Sequence, residues 1–570
     1  MTPETVKNEQ DGQSGTTDRD RPAARVVNAI RRHPSVVAMC SIFALYLLTR
    51  LLFLGRLPVF FDESIFIRWA QLAPRNGNWM VSMTDGKPPI FIWLLIPFVS
   101  AFKNPLVAAR LLSVSTGALS VYGMFLIGKE LRDWRLGAWG AFLYVICPFT
   151  LWYDRIAITE GFLLTVFIFG LYFALRASRS LNPLWSLAIG GTLGLGLLTK
   201  GTTELLFVIT PFAFLARTGY RKGSAREGCE GETVGGSAGS SVGVRERWTR
   251  LQPLARWIVV IVISFVLAIA IYSVLRLSSM YGLIAARNSI ATKGVGEVLK
   301  HPFDVFFSNV GTIIGTTFIF MTPLLLLGGL AGLIYGAVKR WHPAWFLLVW
   351  TVAVGVVEAL VAKHWMFNAI LPRFFLSLVP PLLLGAGYLV IEGVAVVRML
   401  DSSRAQVVRI LTAVVIFLAL AFPLYTDLMV IAKPDEAVLP YWTRVQYLTD
   451  WPSGWGIKES ADYIAAHSEE GPVVVGTNVK GIGLPTDGIE MYLDGNRDVE
   501  VVPFSSTTQE FPRELADAAA SYPVYVVFNS FPGYESPPAD WPLELISKFP
   551  KDGNNNQHLD LFKVKATAAP

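Results

Sequence analysis

Charge is what this sequence has least of. Of its 570 residues only 16% are Asp, Glu, Lys or Arg, against roughly 25% in ordinary globular chains. Hydrophobic residues make up 53%, and mean hydropathy is +0.46. A water-soluble protein of this length cannot hide so much apolar surface behind so few charges, which excludes a plain cytosolic enzyme and a disordered scaffold. Cysteine is scarce too. Cys40 and Cys147 lie in apolar runs and Cys229 in a polar stretch, so neither a disulfide framework nor a zinc cluster of familiar spacing is available. The sequence also lacks an internal repeat and a glycine-rich phosphate loop. What it has is long apolar runs, and these specify a polytopic α-helical membrane protein.

The net charge of +6 could point to nucleic acid, but its distribution points elsewhere. From Lys433 onward 10 Lys and Arg face 20 Asp and Glu, so that segment is acidic by 10 and the rest of the chain is basic by 16. Such a split is expected when basic loops stay in the cytoplasm and an acidic domain is exported; no nucleic-acid partner is expected.

Residues 1–35 are polar, with Arg25, Arg31 and Arg32 just before the first apolar run, and read as a disordered cytoplasmic tail. The run from Val36 to Leu54 is long enough to span and has no small-residue cleavage site after it, unlike a signal peptide. Further spans are expected at 106–127, 136–152, 157–175, 184–199, 201–216, 257–276, 310–336, 344–361, 374–396 and 409–431. If Pro88–Phe102 is interfacial or re-entrant, the basic loops, including 217–254, all fall on one side. The layout is then about eleven spans over residues 36–431, amino terminus in and carboxyl terminus out. Residues 432–570 alternate helical and strand patterns: Ile457–His467, Pro472–Gly476, Val499–Phe504, Pro512–Ala520, Val524–Asn529 and Leu559–Val564. They read as an extracytoplasmic α/β domain.

Ionisable residues at the outer ends of spans carry the chemistry, because a charge beside hydrocarbon is costly. Asp62 and Glu63 open a stretch with Ile65, Trp69 and Leu72 on one helical face. Asp62 either caps that helix or, with Glu63 beside it, serves as a general base at the membrane surface. Asp85 and Lys87 precede a rigid Pro88-Pro89 pair. Lys87 either snorkels to anionic lipid or grips a phosphate. Glu160 lies about a turn into an apolar helix, as a solvated helix-start acid or as one holding a partner, a metal or a substrate group. Lys200 and Glu204 are four apart, the spacing of an ordinary helical ion pair. Arg373 and His364 complete the outer set, the histidine reading best as merely interfacial.

The motifs FFDES at 60–64, GKPPIFIW at 86–93, AARLLS at 108–113, LWYDRIAITEG at 151–161, LLTKGT at 197–202 and LPRFFLSLVPP at 371–381, in that order, resemble the bacterial glycosyltransferases related to protein O-mannosyltransferases. They are also similar to the aminoarabinose transferases that modify lipid A. The resemblance covers roughly residues 36–400 and implies a membrane enzyme of the type C glycosyltransferase fold. It implies that Asp62 is the catalytic base and Glu63 the acid beside it, that Lys87 lies near the donor phosphate, and that Glu160 is the second-loop acid. Arg373 would serve the lipid phosphate, with Lys200 as a further candidate. In aminoarabinose transferases a glutamate before the KPP lysine helps hold a metal; here Gly86 stands in that place and Asp85 precedes it. A divalent metal ion would thus fall to Asp62, Glu160 and Asp85.

The implied reaction is transfer of a sugar, with inversion, from a polyprenyl-phosphate donor to a hydroxyl of a protein, glycan or lipid acceptor. It would occur at the extracytoplasmic face of the plasma membrane, in the cell envelope. A lipid-linked sugar flippase or transporter is the alternative, since intramembrane charges and broken helices suit that too; against it, the charges gather at one face and no repeated half is visible.

Overall fold

The structure is a computed structural model that describes residues 33–217, 252–364, 369–400, 403–553 and 556–565. Most of the expected tail 1–35 and of the loop 217–254 lies outside the described residues. Among those described, seven helices are long and apolar enough to cross a bilayer: Pro34–Leu51, Pro105–Leu131, Thr159–Ser180, Pro253–Leu277, Pro343–Val361, Pro372–Arg398 and Gln406–Ala432. Counting each of two bent helix pairs as one span raises the number to nine. Large apolar side chains stay exposed along them, Phe417 at 66% and Val266 at 63% for example. In water such a surface would aggregate; it is the lipid-facing surface of a multi-pass membrane protein.

The helix ends follow local chemistry. The 27-residue helix Pro105–Leu131 starts with the Asn104 side chain accepting from Val107 N–H at 3.1 Å and with proline in its first turn. At about 1.5 Å per residue it is long enough to cross the hydrocarbon with some tilt. Ile90–Ala101 has only 12 residues, too short for a core of about 30 Å, as the interfacial or re-entrant expectation for Pro88–Phe102 requires.

Two expected spans are broken. The run 136–152 divides into Trp134–Val145 and Pro148–Asp154, bent by 67°, and 310–336 into Phe306–Met321 and Pro323–Val338, bent by 110°. Both second pieces start at a proline, whose preceding residue is pushed out of the helical region; Thr322 turns at φ +65°. The segment 201–216 is likewise a short α-helix, Glu204–Ile209, between two 3₁₀ stretches. Where helices meet, small residues let backbones touch: a Cβ on Gly332 would lie 1.9 Å from the Gly385 carbonyl oxygen.

The carboxyl-terminal segment is a sheet-containing α/β domain. Strand β1 (Val59–Phe60) of the membrane part pairs antiparallel with β2 (Ser453–Gly454). Strands β3 (Val473–Thr477), β4 (Val499–Pro503), β5 (Val524–Asn529), β6 (Leu543–Pro550) and β7 (His558–Val564) form one sheet in the order β4-β3-β5-β7-β6. The first three run parallel, while β5-β7-β6 are antiparallel. Alternate residues divide between two cores: Val473, Val475 and Tyr525 join the apolar cluster continuous with the membrane helices, and Val474, Val524 and Val526 join a second on the other face. The helix Thr486–Tyr492 and strand β6 were not anticipated. Strand β6 carries Glu544 and Lys548, with mixed burial, so it lacks a strand's clean alternation.

Candidate active site

Asp62 sits in the first turn of the helix Phe61–Asn76, with Phe60 as the N-cap. The expectation that Asp62 caps this helix is corrected: Glu63 accepts the Phe60 N–H at 3.0 Å, leaving Asp62 free to point elsewhere. Glu63 itself is not open to a substrate. It accepts Arg110 Nε at 2.8 Å, Arg110 Nη2 at 2.7 Å and the Ala157 N–H at 2.7 Å, and it is fully buried. Arg110 also donates to the Leu54, Leu57 and Pro58 carbonyls. With both oxygens occupied by donors, Glu63 ties the loop down.

Asp62 faces cations from two distant stretches. Arg373 Nη1 lies 2.6 Å from Oδ2 and Lys87 Nζ 3.3 Å from Oδ1. Burial alone would raise its proton affinity, but these two charges prevail and hold its carboxyl well below the usual range. Lys87 is fixed between Pro88-Pro89 and Gly86, which turns at φ +66°. A Cβ there would lie 2.4 Å from the Leu283 carbonyl oxygen, so the helix Tyr281–Ala291 packed on this turn admits glycine and excludes a glutamate. Lys87 also lies 3.3 Å from Asp85 and 4.8 Å from the Phe66 ring centre.

Glu160 occupies the first turn of Thr159–Ser180 and contacts Lys200 Nζ at 2.5 Å. The expected Lys200–Glu204 pair does not form as a helical i,i+4 contact, because Lys200 is extended (φ −166°, ψ 147°) ahead of the turn. Arg373, in the 3₁₀ stretch Pro372–Leu378, bridges the acids, with Nε 3.7 Å from Glu160 Oε1. That Nε is buried without a hydrogen-bond acceptor.

Asp62, Lys87, Glu160, Lys200 and Arg373 line one cavity of about 190 Å³. Five cations (Lys87, Lys200, Arg287, Lys363, Arg373) face three acids (Asp62, Glu160, Glu204) around it. Asp85, which pairs with Lys87 and with Arg287 at 3.6 Å, brings the balance to one positive charge. Phe66, Phe91, Leu197, Ile284 and Phe374 line the same cavity, with Lys87 over the Phe66 ring and Lys200 over the Phe374 ring. Such a site suits an anion carried on an apolar body. His364 lies elsewhere, against Asn309 Oδ1 at 2.8 Å. Arg287 and Asn288 were not foreseen; their loop offered no charge at a span end, and only packing against Gly86 and Gly201 brings them in.

A metal does not fit these residues. Among the described residues no group of three or more His, Cys, Asp or Glu side chains could hold one. Asp62, Asp85 and Glu160 each face cations instead, which already neutralise the donor set a metal would need.

Comparison with known proteins adds to this geometry. Residues 86–227 match the family described as dolichyl-phosphate-mannose-protein mannosyltransferase. No curated protein sequence matches. Among solved structures, ArnT from Cupriavidus metallidurans in the apo state is similar at TM-score 0.51 and 15% identity, covering 94% of this chain and 98% of that one. ArnT from the same organism bound to undecaprenyl phosphate is similar at TM-score 0.52 and 14% identity, covering 94% and 99%. At these identities the likeness is one of fold: the chain shares the architecture of these ArnT structures, and residues 86–227 match the mannosyltransferase family model.

Proposed function

We propose that this chain is an inverting glycosyltransferase that moves a sugar from a polyprenyl-phosphate donor to an acceptor hydroxyl. The observation that carries this reading is the amphiphilic cavity, which gathers Asp62 with Lys87, Lys200 and Arg373 among apolar side chains. A phosphodiester carries one negative charge, which matches the excess positive charge of the site. The likeness to a fold solved with undecaprenyl phosphate supports the donor class. The proposed orientation puts the amino terminus in the cytoplasm and the site and residues 432–570 outside, where nucleotide sugars are absent.

In the proposed step the acceptor oxygen attacks the anomeric carbon, the bond from that carbon to the phosphate oxygen breaks, and polyprenyl phosphate leaves with the electron pair. Asp62 takes the hydroxyl proton. Lys87, Arg373 and Lys200 stabilise the charge growing on the departing phosphate, and Glu160 holds Lys200 and Arg373 toward it. Paired with two cations, Asp62 is a weak base. A phosphate that draws Lys87 and Arg373 away relieves that pairing, and burial then raises its proton affinity, so the base strengthens when donor is bound.

The test is radiolabel transfer from a polyprenyl-phosphate sugar in isolated membranes containing the chain. Label on an acceptor supports the transferase. Lipid-linked label that moves between leaflets without chemistry supports the flippase and overturns this reading.

A further inference from the structure

The two residues before Asp62 belong to an interface with the carboxyl-terminal domain. Phe60 pairs with Ser453 across β1 and β2, and its ring lies 4.3 Å from that of Tyr447. The Phe61 N–H donates to the Pro452 carbonyl at 3.0 Å, and its ring meets Trp451 edge-on at 5.2 Å. Gly483, at φ +110°, packs so tightly on Phe61 that a Cβ would lie 2.0 Å from the ring. Further along the same helix, Arg68 pairs with Glu490 at 2.7 Å and Asp494 at 2.8 Å. Arg75 pairs with Asp494 at 2.7 Å, and Gln71 donates to the Met491 carbonyl at 2.9 Å. None of these partners lines the cavity. On the other side of Asp62, Glu63 is clamped by Arg110.

We propose that the carboxyl-terminal domain is a brace that sets the position of the Asp62 carboxylate, acting through Phe60, Phe61 and the Arg68 ion pairs. This rests on the reading of Asp62 as the base, and its residues are positioning residues. The domain holds Phe60 and Phe61 before Asp62 and Arg68 after it, while Arg110 holds Glu63 and the Leu54, Leu57 and Pro58 carbonyls, so Asp62 lies between anchored stretches on both sides. The phosphate-binding cations sit on other elements. Loosening the brace therefore lowers turnover and spares donor binding, because about 1 Å of misplacement at a reacting group can cost about 10²-fold.

The experiment compares the purified full chain with Gly483→Ala, with Arg68→Glu, and with a variant inverting all four charges (Arg68→Glu, Arg75→Glu, Glu490→Arg, Asp494→Arg). It measures kcat, donor KM, polyprenyl-phosphate binding and amide hydrogen exchange at residues 59–63. The expected result is a kcat loss of about 10–100-fold with KM and phosphate binding unchanged, faster exchange at 59–63, and recovery of both in the inverted variant. If Gly483→Ala does not accumulate, Arg68→Glu decides. Full kcat despite faster exchange, unchanged exchange, or a parallel loss of kcat and phosphate binding overturns the brace. If the wild type transfers no sugar, the reading of Asp62 falls instead; exchange at 59–63 and its recovery on charge inversion then decide whether the brace exists.

Discussion

Adjacent residues of this chain belong to two different electrostatic regions. Glu63 and Arg110, with side-chain exposures of 0% and 1%, form a closed pair whose donors and acceptors are used up. Nearby, Arg50 meets Asp154 at 3.2 Å and the Val145 carbonyl at 2.6 Å, and Arg155 donates to four carbonyls that end the first helix. Asp62 and Lys87, at 14% and 21% exposure, border a cavity in which cations outnumber acids. Closed charges hold the chain in shape; charges left partly open to a cavity are available to a substrate. Both sets are costly beside hydrocarbon, and what separates them is whether a cavity borders the charge.

The sharpest way to break this comparison is to open the closed region. Arg110→Leu leaves Glu63 buried and unpaired, a loss of about 3–5 kcal/mol. The expected outcome is a collapse of folded protein in the membrane, read by abundance and thermal melting; near-normal melting would move this pair out of the structural class. Next in size, Arg373→Leu removes a charge-assisted contact worth about 1.5–3 kcal/mol, so polyprenyl-phosphate affinity should fall about 10–100-fold with folding retained. Unchanged affinity in a binding titration would detach Arg373 from the donor.

Lys87→Met sharpens the comparison through pH. Asp62 has a depressed proton affinity because two cations overcome its burial. Removing one lets burial count for more, so its pKa rises and the acid limb of kcat/KM moves to higher pH. A limb that stays in place, whatever the absolute rate, would show that Lys87 does not tune Asp62.

The smallest effect lies in the brace. Burial pushes the Asp487 carboxyl up to about 7, against the opposing pull of the Gly483 N–H and with Glu490 adding to the rise. A carboxyl raised in the folded state binds more protons there, so stability falls as pH climbs from the ordinary value near 4 to about 7 and is flat above. Asp487→Asn should abolish that slope in melting scans across this window; an unaltered slope would assign it elsewhere.

Much of this was legible in the sequence. Apolar runs marked the helices, and charges at span ends marked Asp62, Lys87, Glu160, Lys200 and Arg373, which the fold brings to one cavity. The two kinked spans were legible in principle at Pro148 and Pro323 but were overridden by unbroken hydropathy. Glu63 could not be separated from Asp62, since only the fold shows that Arg110, 47 positions away, reaches it. Arg287 was hidden in a polar loop, and the brace arises from pairing between residues nearly 400 positions apart, for which spacing gives no signal.

The most direct test sets Asp62→Asn beside Glu63→Gln, with sugar transfer and melting temperature measured on both. The account predicts that Asp62→Asn folds at wild-type abundance and loses transfer by about 10²–10⁴-fold, while Glu63→Gln loses folded protein. Normal transfer by Asp62→Asn, or a stable Glu63→Gln that fails only in transfer, would contradict it.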